Sequence, residues 1–120
     1  MTLTQDIFDL TGKTAAITGG AGVLCSAIAR MLAGQGANVA ILDLNAVAAE
    51  ALAAELGPNA IGIGTNVLER ASVEAAAAQV IERFGGVDIL INGAGGNKVQ
   101  ATTSADLAFF DLPPDAIQWV

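Results

Sequence analysis

The run Thr18-Gly19-Gly20-Ala21-Gly22-Val23-Leu24-Cys25 sets three glycines within four positions, directly after the apolar stretch Thr14-Ala15-Ala16-Ile17 and ahead of a helix-like segment. Glycine adopts positive φ without a Cβ penalty and lets the backbone come close to a ligand. Free N–H groups at the start of the following helix then face an anion, which the helix dipole also favours. The chemistry this pattern fits is the grip on a dinucleotide's pyrophosphate, and it needs no charged side chain. The plainer reading is a tight turn.

Asp43 stands 21 residues past Gly22, at the end of a second apolar run, Val39-Ala40-Ile41-Leu42. A carboxylate there accepts hydrogen bonds from both hydroxyls of an adenosine ribose, with Leu44 beside it. It also opposes a 2′-phosphate: like charges ~4 Å apart repel by ~4 kcal/mol at an effective dielectric near 20. NAD is therefore favoured over NADP. The alternative for Asp43 is a residue that simply complements the dipole of the next helix.

The elements that must position these groups alternate in type. Thr14–Thr18 reads as a strand, and Leu24, Ile28, Met31 and Leu32 mark one face of a helix from about Gly22 to Ala33 that Gly34 and Gly36 end. Residues 39–42 form a second strand, and the alanine-rich Val47–Leu56 a second helix stopped by Gly57-Pro58. Ala60–Gly64 is a third strand. Ser72 is a candidate cap for a third helix with Val73, Ala77, Val80, Ile81 and Phe84 as its buried stripe, closed by Gly85-Gly86. Residues 88–92 make a fourth strand, and Pro113-Pro114 is placed to start a further helix.

Such βα alternation predicts an α/β, Rossmann-like, doubly wound parallel sheet of about four strands in the order 3-2-1-4, with helices on both faces. Residues 1–120 are expected to be one nucleotide-binding domain, incomplete, with the fourth strand as an open edge. Phe8 and Leu10 are expected to pack an N-terminal arm on the first strand, with Asp6 and Asp9 as solvated charges.

Composition bounds the partners. With 12 acidic against 5 basic residues the net charge is −7, which repels nucleic acid and anionic membranes at long range. The 53% hydrophobic and 14% charged content resembles an interior more than a free-standing small domain. One cysteine and no histidine leave no metal-ligand cluster, and no signal segment or spanning apolar stretch is evident, so a cytoplasmic location is expected.

The cofactor turn, the acidic strand end and two later segments together resemble the short-chain dehydrogenases/reductases. Thr18, Gly19 and Gly22 match the family's T-G-x-x-G-x-x-G turn, while Cys25 occupies its third glycine, where a missing side chain normally allows close helix–strand packing. Cysteine is small and is expected to be accommodated as a buried filler, although a thiol at a helix N-terminus is also a conceivable redox switch. Asn66-Val67 looks like the family's Asp-Val pair at the adenine, and is equally readable as a turn asparagine. Asn92-Gly93-Ala94-Gly95 resembles the family's Asn-Asn-Ala-Gly segment, with Gly93 in place of the second asparagine. The spelling is similar to the branch of sugar-acid and polyol oxidoreductases acting on fructuronate or mannonate.

The resemblance implies hydride transfer between NAD(H) and a secondary alcohol or ketone. It assigns Gly19, Gly20, Gly22 and Asp43 to the pyrophosphate and adenosine ribose, Asn66 and Val67 to the adenine, and Asn92, Gly93 and Ala94 to the inner ribose, with Thr18, Val23, Leu24 and Leu44 also counted among the cofactor-binding residues. It covers Leu10 to Val120, about the first half of a family member, and implies homo-oligomers. The family's tyrosine acid/base and the lysine four residues later have no counterpart, since the chain has no tyrosine. A positioned acid/base is worth roughly 10²–10⁴ in rate, so these 120 residues alone are expected to bind without turnover and no catalytic residue is assigned. Two rivals stand beside this reading: a non-catalytic nucleotide-binding or assembly module, and a methyltransferase-like site, which the Asn92-Gly93-Ala94-Gly95 segment disfavours.

Overall fold

The computed structural model describes residues 7–120, so Asp6 lies outside the described residues. Four parallel strands, β1 (Thr14–Thr18), β2 (Asn38–Asp43), β3 (Ala60–Gly64) and β4 (Ile89–Asn92), form one sheet in the order β3-β2-β1-β4. This is the expected doubly wound order. Helices α1 (Val23–Gly34), α2 (Ala46–Leu56) and α3 (Arg70–Phe84) connect the strands, and a short α4 (Pro114–Trp119) begins with Pro114 in its first turn, where the missing N–H costs nothing.

The period of two along the strands decides which side chain meets which layer. Ile17, Val39 and Ile41 point to the face carrying α1 and α2, while Ala16, Ala40, Leu42 and Ile63 point to the face carrying Ala76 and Val80 of α3. Ile17 and Ile41 are fully buried, each contributing about 1.5–3 kcal/mol of transfer free energy. Leu10 packs on the first cluster as expected of the arm, whereas Phe8 is exposed.

Small residues set the layer spacing. A Cβ on Gly62 would overlap the backbone of Ala49 in α2, so glycine is there for proximity rather than for a left-handed turn. Gly57 does end α2 with φ +103°. Arg30 of α1 and Glu55 of α2 form an ion pair at 3.0 Å, and the guanidinium holds the Glu55 carboxyl below its usual range. Both groups are solvent-exposed, so the pair adds little.

Three expectations are corrected. In α1 the buried positions are Cys25 and Ala29, flanked by half-buried Ile28, Leu32 and Ala33; Leu24 and Met31 are 73% and 72% exposed. The small residues face the sheet because α1 lies close to it, and the bulkier ones turn outward. In α3 the buried line is Ala76 and Val80 with Phe84, and Val73, Ala77 and Ile81 lie one step around the helix, exposed. Ser72 does not cap α3, which starts at Arg70; its hydroxyl accepts instead from the Asn66 N–H at 2.9 Å.

The open edge is present. Among the described residues β4 pairs only with β1, and Leu90, on the α3 face beside Ala16, is 60% exposed. At the other end of β4, Asp88 exchanges two hydrogen bonds with Thr14, its carboxylate accepting from the Thr14 N–H and its own N–H donating to the Thr14 carbonyl. We expect Gly62→Ala to lower stability by about 1–3 kcal/mol through overpacking against α2, read as a reduced urea midpoint at unchanged m-value. A midpoint equal to wild type would show that α2 and β3 are not held this closely.

Candidate functional site

The C-terminal ends of all four strands open on one side of the sheet, where a cleft of about 490 Å³ lies. That position is where open parallel sheets bind ligands. Its walls come from four places in the chain: Gly19 and Gly22 after β1, Asp43 and Leu44 at the end of β2, Thr65 to Leu68 after β3, and Gly93 to Gly96 after β4. Trp119 and Val120 close one end.

The turn after β1 is built without side chains. Gly19 has φ +63°, and a Cβ there would lie 2.7 Å from the Gly93 carbonyl oxygen and 2.9 Å from the Ala94 Cα, so only glycine fits. Gly20 packs downward, its N–H donating to the Leu42 carbonyl at 3.2 Å, with Ile41 directly beneath. Gly22 is the N-cap of α1, and no side chain caps that helix. The N–H groups of Val23, Leu24 and Cys25 therefore lack intrahelical acceptors at the mouth of the cleft.

Asp43 also fastens the turn. One carboxylate oxygen accepts from the Ala21 N–H at 3.1 Å and the other from the Asn45 N–H at 2.9 Å, so the tip of β2 is tied to the middle of the glycine turn. Each oxygen keeps acceptor capacity for a further donor. Asn45 in turn caps α2, accepting from the Ala48 N–H at 3.1 Å. Sequence spacing placed the carboxylate at the end of β2, where it stands, but gave no sign of its bond to the turn.

Thr18 joins the β1 and β4 lips. Its hydroxyl oxygen accepts from the N–H groups of both Gly93 and Ala94, at 3.1 and 3.2 Å. Asn66 uses its side-chain oxygen to accept from the Leu68 N–H at 3.1 Å, the geometry of a turn asparagine, while remaining part of the cleft wall. Of the positions singled out in the sequence, Gly19, Gly22, Asp43, Leu44, Asn66, Val67, Gly93 and Ala94 line the cleft together. Thr18, Gly20, Val23, Leu24 and Asn92 do not: the first two support it from beneath, Val23 and Leu24 stand at the helix mouth, and Asn92 ends β4 opposite Thr18.

Gly95, the last residue of the Asn92–Gly95 segment, lines the cleft as well, whereas sequence reasoning missed Thr65, Leu68, Gly96, Trp119 and Val120. Thr65 follows directly on β3, and its N–H donates to the Asp43 carbonyl at 2.8 Å, a continuation of the ladder that the glycine-weakened strand hid. Trp119 reaches the cleft because α4 folds back on the short 3-10 turn Val99–Ala101; its ring lies under the Lys98 ammonium at 4.7 Å and against Gly96. No sequence spacing signals that return.

Residues 13–111 match the family model described as short chain dehydrogenase. The chain belongs to that family. It is 45% identical over 115 residues to "Uncharacterized oxidoreductase UxuB" of Bacillus subtilis, covering 87% of this chain and 41% of that protein. It is 42% identical over 105 residues to a sorbitol dehydrogenase of Cereibacter sphaeroides, covering 88% and 36%. Among solved structures, a putative D-mannonate oxidoreductase from Haemophilus influenza with bound NAD superposes with a TM-score of 0.81 at 39% identity, covering 98% of this chain and 46% of that one. A 3-ketoacyl-(acyl-carrier-protein) reductase from Brucella melitensis complexed with NADH gives 0.77 at 32%, covering 92% and 43%. The chain thus spans about two-fifths of the length of the curated relatives it matches.

The Thr18 clamp is directly testable. Thr18→Val keeps the shape of the side chain and removes the hydroxyl acceptor; the Gly93 N–H retains the Thr18 carbonyl at 3.1 Å but the Ala94 N–H loses its partner, so hydrogen exchange at Ala94 is expected to quicken by roughly tenfold, about 1.4 kcal/mol of lost protection, with β1 and β2 amides unchanged. Equal protection at Ala94 in both proteins would remove the clamp from the description.

Proposed function

We propose that residues 1–120 are the NAD(H)-binding part of a short-chain oxidoreductase that moves hydride between NAD(H) and a secondary alcohol or ketone, with a sugar acid or polyol as substrate. The observation that carries this is the meeting of the glycine turn, the Asp43 carboxylate and the Gly93–Ala94 segment around one cleft. NAD or NADH in the two structural relatives supports it. When bound, the nicotinamide supplies the hydride acceptor or donor.

The residues present fit that group. A cradle of backbone at Gly19 and Gly22 with uncapped N–H groups of Val23 and Leu24 suits a pyrophosphate. Asp43 retains lone pairs for ribose hydroxyls and excludes a 2′-phosphate by charge. Leu44 and Val67 offer apolar surface to the adenine, Asn66 an amide, and Asn92, Gly93 and Ala94 stand on the inner-ribose side. Thr18 and Gly20 hold the cradle's shape from below.

Catalysis is not assigned to any residue of this chain. With no tyrosine and no histidine to move the proton that accompanies hydride transfer, we propose that these residues bind cofactor without turnover. One observation favours partner-dependent assembly alongside this: the open β4 edge, with Leu90 exposed on it, is a surface that a homo-oligomer or a further part of the protein would cover. Among the described residues no helix is long and apolar enough to cross a membrane.

Calorimetric titration is the test. NAD and NADH are expected to bind, NADP to bind at least about tenfold more weakly, and Asp43→Ala to lose roughly 10–100-fold in NAD affinity, the range for hydrogen bonds to a charged group. Turnover of mannonate or sorbitol by residues 1–120 would overturn the non-catalytic assignment. Tighter binding of S-adenosylmethionine than of NAD would overturn the cofactor.

A further inference from the structure

Gly93 is a glycine for space and not for conformation. The glycines with positive φ among the described residues are Gly12, Gly19, Gly36, Gly57 and Gly85, so position 93 has a backbone that L-residues adopt. A Cβ there would nevertheless overlap the Cys25 sulfur and lie 2.6 Å from the Thr18 carbonyl oxygen. Cys25 itself is 6% exposed, in the first turn of α1, with its side chain directed under the β4 loop. By contrast a Cβ at Gly95, two residues on, would meet nothing within 4 Å. The crowding is local to position 93.

We propose that Cys25 and Gly93 form an exclusive steric pair, and that Cys25 is a positioning residue whose sulfur sets how close the Gly93–Ala94 wall stands to the glycine turn. The two departures from the family's usual pattern noted above, cysteine for the third glycine and glycine for the second asparagine, are then one exchange of volume across the cleft floor. A side chain at 93 is admitted only when the sulfur at 25 is gone. The Thr18 carbonyl is then the remaining obstacle, and clearing it requires the Gly93 backbone to move away from β1, toward the side on which β4 has no neighbouring strand among the described residues.

The wall in question is the inner-ribose side, so the inference rests on the NAD(H) reading of the cleft. Adenosine monophosphate engages the Asp43 end and does not need the Gly93–Ala94 wall; NAD needs both. Their affinities therefore separate positioning from general damage.

The experiment is a mutant cycle in the full chain: Gly93→Ala, Cys25→Ala and the double variant, each titrated with NAD and with adenosine monophosphate, with urea midpoints recorded. Gly93→Ala is expected to weaken NAD roughly tenfold, to weaken adenosine monophosphate less than about twofold, and to regain most of the NAD affinity when Cys25→Ala is added, a coupling within the usual range for residues in contact. Gly93→Asn with and without Cys25→Gly repeats the test with the family's own pairing. Wild-type NAD affinity in Gly93→Ala, no recovery in either double variant, or equal losses for both ligands would overturn the proposal. Should the wild type bind no NAD, the functional reading fails on its own, and the steric pair still stands or falls on the urea midpoints, lowered in Gly93→Ala and restored in the double variant.

Discussion

The cleft exists because two stretches of backbone approach within contact distance at the top of β1. Gly19 lies against the Gly93 carbonyl and the Ala94 Cα, at a separation that admits hydrogen and nothing larger. From that contact the rest follows: the turn must bend away at positive φ, α1 must begin above it with its N–H groups uncovered, and the loop after β4 must pass over Thr18, whose hydroxyl holds it. β1 sits between β2 and β4 and is the strand from which both lips are measured. Burial of Ile17 and Ile41 fixes that strand in the core, so the approach rests on rigid elements.

The same economy appears one layer out. Where α2 crosses β3, Gly62 removes the side chain that would hold them apart, and Leu44, just ahead of α2, stands in the cleft wall. Alanine, cysteine and glycine facing the sheet let helices lie low; isoleucine and valine in the sheet fill what remains. A site made mostly of backbone requires this, because main-chain atoms cannot reach outward to a ligand as a long side chain can.

Much of this was legible in the residues. Strand boundaries at Thr14–Thr18 and Ala60–Gly64 agree with the sequence reading, since apolar runs bounded by glycine and polar turns leave little choice, and right-handed crossovers then dictate the strand order. Helix faces were less legible. Periodicity ranks by hydrophobicity and pointed to Leu24 and Met31, whereas close packing selected Cys25 and Ala29. Ser72 carried a capping signal that a different geometry used, as an acceptor for Asn66. In the cleft, most residues set by strand ends were found, Thr65 excepted because the glycine-weakened β3 hid its last rung, and those delivered by the long return from Gly96 to Trp119 were not, because a loop's path is decided by contacts such as Lys98 over Trp119 that leave no periodic trace.

The bond from Asp43 to the Ala21 N–H has a practical corollary for anyone seeking to retool the chain toward a phosphorylated cofactor. Replacing the acid by a neutral or basic residue removes its negative charge, but it also unfastens the glycine turn tied to it through Ala21. The charge at the tip of β2 and the preorganisation of the turn are vested in the same carboxylate. A redesign must therefore supply a substitute acceptor for that amide, or it trades one deficit in affinity for another.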